Sequence, residues 1–215
     1  MRLHSLRNTI FASIALSVVA FAQPPVTVDT PYQIRYVANL NLGDSVINIT
    51  NSGARGAGLA AGTTAATTGA ICVNVYAFSP DEQMISCCSC PVTPNGLVSL
   101  STRRDLVNNT LTPAVPTSIV VKLLASTPTG TGTCAGSAAA PGALTSGMLA
   151  FGTTVHVGAA AGSDAAITET QFLPATLSAG ELGRLTSLCT FINANGSGFG
   201  ICSTCRLGGL GAGRL

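Results

Sequence analysis

The stretch Cys87-Cys88-Ser89-Cys90 places three of the chain's eight cysteines within four residues. Residues adjacent along a chain rarely bond each other, so this cluster predicts disulfides to distant partners, among the roughly 105 arrangements that eight cysteines allow. The pattern does not choose among them. All eight are disulfide candidates: Cys72, Cys87, Cys88, Cys90, Cys134, Cys189, Cys202 and Cys205.

The N-terminal segment predicts an oxidising compartment, in which disulfides persist. Arg2 and Arg7 accompany an apolar run, Ile10 to Val19, which ends in Ala20-Phe21-Ala22. This is typical of a signal peptide over residues 1–22, cleaved after Ala22. The run is shorter than the ~20 residues that a membrane span needs. We therefore expect a secreted protein, extracellular or at the cell surface, with the periplasm as the alternative, and no membrane span in the mature chain.

The charge balance disfavours nucleic acid as a partner. Without Arg2 and Arg7, eight basic residues face eight acidic ones, and no basic cluster exceeds Arg103-Arg104. Nucleic-acid binding requires a basic surface, so we expect none. Only 8% of the residues are charged, and a surface rich in Ser, Thr, Gly and Ala gives little repulsion between copies. We expect copies of the chain itself to be the partner.

Short β-forming runs separated by Gly and Pro predict a mainly β protein, an antiparallel β-sandwich. Tyr32 to Leu40 alternates, which predicts a half-buried strand with its tyrosines on the buried face and Gln33 and Arg35 on the other. Ser45 to Thr50 follows a turn, so the two runs predict a hairpin. Further strands are predicted at residues 70–78, 97–100, 118–125, 148–157 and 166–172.

The cysteine cluster is predicted to lie at the end of a strand. The turn Ser79 to Glu82 returns the chain toward it, and Pro91 and Pro94 follow directly. Proline cannot donate to a strand ladder, so we expect the strand to stop there. A short helical segment is predicted over Thr102 to Asn108, with Thr102 and Asp105 spaced as a capping box.

One amphipathic helix is predicted near the C-terminal end, beginning after Ser178. Ser178 and Glu181 form a capping box, and the apolar positions that follow recur at helical spacing. The helix brings Cys189 to its buried face and directs the chain toward Cys202 and Cys205, either of which could reach the cluster. The apolar positions are Leu182, Leu185, Leu188, Cys189 and Ile192.

The domain prediction is a single domain over residues 32–206. An extended arm, residues 23–31, precedes it, with Val26, Thr27 and Val28 as its β-forming core, and a flexible Gly-rich tail, residues 207–215, follows. Residues 52–69 and 126–147 are rich in Gly, Ala and Thr and are predicted to form surface loops. Cys134 lies in the second loop, which a disulfide would tether.

No combination of residues in the sequence indicates catalysis, so we expect no enzyme activity and no cofactor. The mature chain contains one histidine, His156, which lies in a strand pattern typical of a hydrogen-bonded structural residue. The acidic pairs Asp81-Glu82 and Asp164 with Glu169 lie at turns, where solvated carboxylates are common. A cysteine-ligated metal is the alternative interpretation of the cluster, with Cys87, Cys88, Cys90, Cys202 and Cys205 as ligands.

The sequence therefore predicts a secreted structural protein that assembles with its own copies into a fibre, coat or matrix. The extended arm could add a strand to the sheet edge of a neighbouring copy. Two alternatives remain open. The first is a monomeric binding module that presents the Gly/Ala/Thr-rich loops to a ligand, and the second is the metal-binding protein.

Overall fold

The computed structural model describes residues 30–57, 68–129, 133–157, 166–202 and 205–207. Within these ranges the chain forms ten strands and one α-helix. The strands are β1 (Tyr32–Val37), β2 (Val46–Asn51), β3 (Ile71–Phe78), β4 (Met84–Val92), β5 (Leu97–Ser101), β6 (Ile119–Ser126), β7 (Met148–His156), β8 (Ala166–Gln171), β9 (Leu173–Pro174) and β10 (Arg206–Leu207), and the helix is α1 (Ala179–Ala194).

The strands form two antiparallel sheets packed face to face. The first sheet has the order β4-β3-β6-β1-β9, and the second has the order β10-β5-β2-β7-β8. Aliphatic residues of both inner faces, such as Val75, Leu123, Ile47 and Leu100, are fully buried between the sheets. Helix α1 covers the outer face of the first sheet and completes a second apolar core. The predicted β-sandwich with one late helix, cross-linked by disulfides, is confirmed.

The predicted hairpin between the first two strands is wrong. β1 pairs with β6 and β9 in the first sheet, whereas β2 pairs with β5 and β7 in the second. The turn between them crosses from one sheet to the other, and Asn39, at its start, donates a hydrogen bond to Val155 O in β7. Periodicity identified both strands, but it contains no information about which strand each one pairs with.

The alternation of β1 is real, but its polar face lies inside the sandwich. Gln33 and Arg35 are only 2% and 9% exposed, whereas Tyr36, predicted to be buried, is 63% exposed. Gln33 Nε2 donates to Met148 O across the interface, at 2.9 Å. Tyr32 and Ile34 instead pack under α1. Because the polar face of β1 packs against the second sheet and α1 covers only part of the other face, the rule that polar residues face solvent does not hold for this strand.

The cysteine cluster lies in the middle of β4, not at a strand end as predicted. β4 continues through Pro91, which stands opposite Cys72 of β3, and ends at Val92. β4 is the first strand of its sheet, and an edge strand accepts proline because one of its sides makes no ladder hydrogen bonds.

The short helical segment after β5 is a π-helical turn, Thr102–Leu106, and its cap lies one residue earlier than predicted. Ser101 Oγ accepts from Arg104 N–H, and Asp105 Oδ2 accepts from Ser101 N–H. The reciprocal capping principle applies, but the wider turn of a π-helix moves the pair to a spacing of four residues.

The end segments lie largely outside the described residues. These include the predicted signal peptide, Val26, Thr27 and Val28 of the arm, and residues 208–215 of the tail. Pro31, the last residue of the arm, accepts a hydrogen bond from Ala125 N–H in β6. Of the helical segments in the described ranges, none has both the length and the apolar character needed to cross a membrane.

Candidate functional site

Cys87 connects the first sheet to the helix above it. It is fully buried in the core beneath α1, and its sulfur bonds Cys189 of that helix across 102 residues of sequence. Ser178 caps the helix by accepting from Glu181 N–H, as predicted, and the buried stripe of α1 contains Leu182, Leu185, Cys189 and Ile192. The residue at which the helix begins therefore determines which of its side chains face β4, and Cys189 is one of them.

Cys88 and Cys90 connect β4 to the C-terminal segment. Cys88 bonds Cys202, and Cys90 bonds Cys205, with sequence separations of 114 and 115 residues. The segment also pairs with β4, since Cys87 N–H donates to Gly200 O and Cys202 N–H donates to Cys87 O. It then enters the second sheet as β10 beside β5. The C-terminal segment thus covers an edge of each sheet on the same side of the sandwich.

The fourth disulfide joins β3 to the second Gly/Ala/Thr-rich segment. Cys72 bonds Cys134, 62 residues later. Two residues beyond Cys134, Gly136 O accepts a 2.7 Å hydrogen bond from the buried Tyr76 hydroxyl. Short 3₁₀ turns at Gly136–Ala138 and Pro141–Ala143 follow. The cross-link and the buried hydrogen bond together anchor this segment. Its small Gly, Ala and Thr side chains could not form a hydrophobic core of their own.

The ligand atoms proposed for a metal are consumed by these bonds. The Sγ atoms of Cys88, Cys90 and Cys205, three of the five ligand candidates, lie within 4.8 Å of one another. Each of these sulfurs belongs to a disulfide, and the ligand for a metal is the thiolate. A metal here would require two disulfides to be reduced first. Cys87, another ligand candidate, points to the opposite face of β4 toward α1.

Four disulfides are consistent with an extracellular or otherwise oxidising compartment. In the chain-entropy description, closing a loop of about 100 residues stabilises the folded state by roughly 4 to 5 kcal/mol. Three of the four cross-links close loops of that length, and all three begin within Cys87-Cys88-Ser89-Cys90.

A cleft of about 640 Å³ opens on the other side of the sandwich, where the chain passes from one sheet to the other. β8 belongs to the second sheet, and β9, two residues later, pairs with β1 in the first. β9 pairs only with Gln33 and Ile34 of β1, so within the described part of the chain no strand lies beside Arg35 and Tyr36 on that side. The cleft is lined by Ile34, Arg35, Tyr36, Thr154, Thr170, Gln171, Leu173, Pro174 and Ala175.

Arg35 is the charged residue of this cleft. Its Nη1 donates to Thr170 O at 2.8 Å and to the Thr170 hydroxyl, and its Nη2 donates to Thr154 Oγ1 at 3.0 Å. The guanidinium carbon lies 6.0 Å from the centre of the Phe172 ring. These contacts hold a cation from the first sheet against the inner face of the second.

The charge of Arg35 is only partly compensated. Burial lowers the pKa of its guanidinium, and the negative charge of Glu169 on β8 opposes that shift. The Glu169 carboxylate instead accepts a hydrogen bond from Asn48 Nδ2. Arg35 Nε has no hydrogen-bond partner in the described part of the chain. Sequence reasoning placed Arg35 on a solvent face, and the isolated cation within an alternating strand was the available signal that it missed.

Two other residues considered for catalysis, His156 and Asp81, each have a hydrogen-bond partner that is not a catalytic candidate. His156, near the end of β7, has Nε2 2.8 Å from Thr168 Oγ1 and is exposed. Asp81 accepts a hydrogen bond from the Ser79 hydroxyl in the turn between β3 and β4. Asp164 falls outside the described residues. Among the described carboxylates, none forms a hydrogen bond or ion pair with the imidazole. A comparison of the chain with protein-family models, curated proteins and solved structures finds no match.

Proposed function

We propose that this protein is a secreted structural subunit that assembles with copies of itself into an extracellular fibre, coat or matrix. The observation that carries the proposal is the edge strand β8, Ala166–Gln171. Five of its six residues are exposed, and Glu169 is its one charged residue. Unprotected edges of this kind accept a further strand, because their outward backbone groups make no ladder hydrogen bonds.

The two sides of the sandwich differ in a way that supports this proposal. On the cysteine side, residues 200–202 pair with β4 and β10 pairs with β5. On the opposite side, the described ranges contain no strand outside β8, and Ile167 on β8 is largely exposed. An asymmetric subunit with one covered side and one open side favours ordered association over random aggregation.

The outer face of the second sheet adds a weakly charged surface. Phe151, Leu97 and Ile167 are exposed there, and the described helix lies on the other sheet. The chain as a whole contains 8% charged residues, so two copies meeting through this face would experience little electrostatic repulsion. The proposed donor is the arm, residues 23–31, whose Val26-Thr27-Val28 core has the β propensity that an added strand requires.

Electron microscopy of the secreted protein tests the proposal. The full mature chain is compared by negative stain with a variant that lacks residues 23–29, which retains Thr30 and Pro31 and their contacts with β1 and β6. We expect polymers from the first and monomers of unchanged stability from the second. A matched variant, Ile167→Lys, places a charge on the open edge and is expected to stop assembly as well. Monodisperse monomers of the full mature chain at high concentration would contradict the proposal.

A further inference from the structure

We propose that the cleft between β1 and β8 receives the arm of a neighbouring copy, paired with β8, and that the side chains of Val26 and Val28 fill it. The inference rests on the proposed function, since its partner is a second copy of this chain, and it names the contacts that make the association specific. Three observations support it: a ladder pair that the fold leaves incomplete, an apolar lining, and a route that is closed to the arm of the same chain.

The backbone groups of Tyr36 point to the position where β9 would continue. Ala175 N–H donates to Tyr32 O at the start of β1, and β9 continues this ladder. In an antiparallel ladder, the residues whose backbone groups point to the same neighbour recur at every second position. Tyr36, four residues after Tyr32, therefore faces the same side. In the register of β1 and β9, its partner would be Gln171.

Gln171 pairs in the other sheet instead. It lies opposite Phe151 of β7, and the next residue, Phe172, donates its N–H to Ala150 O. By the same alternation, the backbone groups of Gln171 point away from β7, and in the described ranges no strand lies on that side. The change of sheet thus separates the two halves of one ladder pair, and both line the cleft. An extended segment of backbone supplies the donors and acceptors that such a site lacks.

The side chains of a strand added to β8 would alternate between the outer surface and the cleft. Thr170 of β8 is directed inward, since its hydroxyl accepts from Arg35 of the first sheet. Residues directly opposite each other on neighbouring strands project from the same face, so every second residue of the added strand would project beside Thr170. Val26 and Val28 are two residues apart, so one register places both in the cleft and Thr27 outside.

The lining of the cleft favours valine side chains. Its apolar part is formed by four residues: Ile34, Leu173, Pro174 and Ala175. Leu173 is 71% exposed, and an added strand would bury it. The hydroxyls of Thr154 and Thr170 are already bonded to Arg35, so they do not require a polar ligand. A volume of about 640 Å³ lies in the range of roughly 300–1,000 Å³ that holds a drug-sized molecule, and it is therefore sufficient for two valine side chains.

The arm of the same chain has no direct route to the cleft. Pro31 O accepts from Ala125 N–H, which fixes the arm at the start of β1, and there β6 and β9 occupy both sides of that strand. Val28 lies two residues before Thr30, a reach of at most about 7 Å. Tyr36, at the cleft, lies four residues further along β1 than Tyr32, or about 13 Å. A neighbouring copy with the start of its β1 beside β8 meets the requirement without passing round β9.

The test is a titration of the full mature protein, at a concentration where light scattering shows monomers, with a synthetic peptide of residues 23–29. Calorimetry measures the affinity, and NMR follows the amide signals of Tyr36 and Gln171. We expect the peptide to bind and to shift both signals. A peptide with Val26→Ser and Val28→Ser should bind at least about tenfold more weakly, because it loses the burial of two apolar side chains. The matched control peptide, Thr27→Ser, should bind as the original does.

Variants of the protein assign the site. Leu173→Ser removes an exposed apolar contact of the cleft, so peptide affinity should fall several-fold, whereas Leu42→Ser, at an exposed leucine outside the cleft, leaves it unchanged. The inference is overturned if the peptide does not bind at millimolar concentration, if the doubly substituted peptide binds equally well, or if the Gln171 signal is unmoved at saturation. Binding that appears only after residues 23–29 are deleted would show that the chain's own arm fills the cleft, and would overturn it as well.

The same samples separate this inference from the proposed function. Polymers of the full mature chain without peptide binding would contradict the cleft as the acceptor and leave self-assembly standing. Peptide binding without polymers at high protein concentration would support the cleft as the acceptor and contradict self-assembly.

Discussion

Cys87 and Cys88 are adjacent in the chain, yet their disulfides leave opposite faces of β4. Cys87 bonds Cys189 in the helix above the first sheet, and Cys88 bonds Cys202 in the segment at the sandwich edge. The two-residue repeat of a strand explains this, because successive side chains point to opposite faces. One short stretch therefore connects the helix, the sheet and the C-terminal segment.

Removal of each cross-link is expected to loosen a different part of the molecule. The double variants C87S/C189S and C88S/C202S should each lower the free energy of unfolding by about 2–5 kcal/mol. Hydrogen exchange should show lost protection in α1 for the first variant and around residues 200–202 for the second. The same exchange pattern in both variants would contradict the assignment of the two faces.

The ion pair between β6 and α1 is expected to contribute measurably to stability. Lys122 Nζ lies 2.6 Å from Glu181 Oε1, with side chains 18% and 24% exposed, and 4.8 Å from the centre of the Phe78 ring. Because both side chains are partly buried, this ion pair should contribute more to stability than the median surface ion pair. Lys122→Met and Glu181→Gln should therefore each lower the free energy of unfolding by about 1 kcal/mol. A double-mutant cycle by urea unfolding measures the coupling, which should decrease with added salt. Fully additive effects would show that the contact contributes nothing.

Alkaline pH is expected to destabilise the fold through two buried tyrosines. Burial, and then the charge of Glu181, raises the pKa of Tyr32 from 10.0 to about 12, and burial, then Tyr32, raises the pKa of Tyr76. The unfolded chain ionises these phenols near pH 10, while the folded chain keeps them protonated. Their contribution to the free energy of unfolding is therefore complete below pH 10 and is lost as the pH rises toward 12. In that range the free energy of unfolding should fall by about 1.4 kcal/mol per pH unit for each tyrosine.

Urea unfolding across that pH range measures the effect. Tyr32→Phe should flatten the dependence on pH, because a phenylalanine does not ionise in either state. Tyr36→Phe is the control, because it also removes one phenol but at the exposed tyrosine of the same strand. Identical pH profiles for wild type and Tyr32→Phe would refute this explanation.

Gly152 is expected to be required for the position of Arg35. A Cβ at residue 152 would lie 2.5 Å from Arg35 Nε and 2.7 Å from its Cδ. Gly152→Ala should therefore cost about 1–3 kcal/mol through overpacking, and less in an Arg35→Ala background, where the clash is removed. Gly142→Ala has no atoms within 4 Å to meet and serves as the control. An equal cost in both backgrounds would show that Gly152 acts independently of Arg35.

The parts of this fold that sequence reasoning predicted are those that depend on local patterns. β6 is a β-branched run between prolines, and α1 begins at a capping box, so local chemistry determines both. The cysteine density and the signal-like N-terminus indicated disulfides in the same way. The four pairings did not follow from local chemistry, because they depend on which strands become neighbours in space.

The errors of prediction share one physical cause. Pairing of β1 with β6 instead of β2, the inward position of Arg35 and the continuation of β4 through Pro91 all depend on a strand's place in its sheet. A single sequence shows the period of a strand but not its neighbours, nor whether both of its faces are covered. The cleft was missed for the same reason, since it arises where the chain changes from one sheet to the other.

One cysteine cluster on β4 joins the helix and the C-terminal segment to the sandwich. Mass spectrometry of the unreduced protein checks this connectivity, with thiol alkylation in the presence of a chelator followed by electron-transfer fragmentation of peptic peptides. We expect no alkylated cysteine and the pairs Cys72–Cys134, Cys87–Cys189, Cys88–Cys202 and Cys90–Cys205. Thiols that become reactive when a chelator is added, or a bond from Cys87 to any residue outside α1, would contradict the claim.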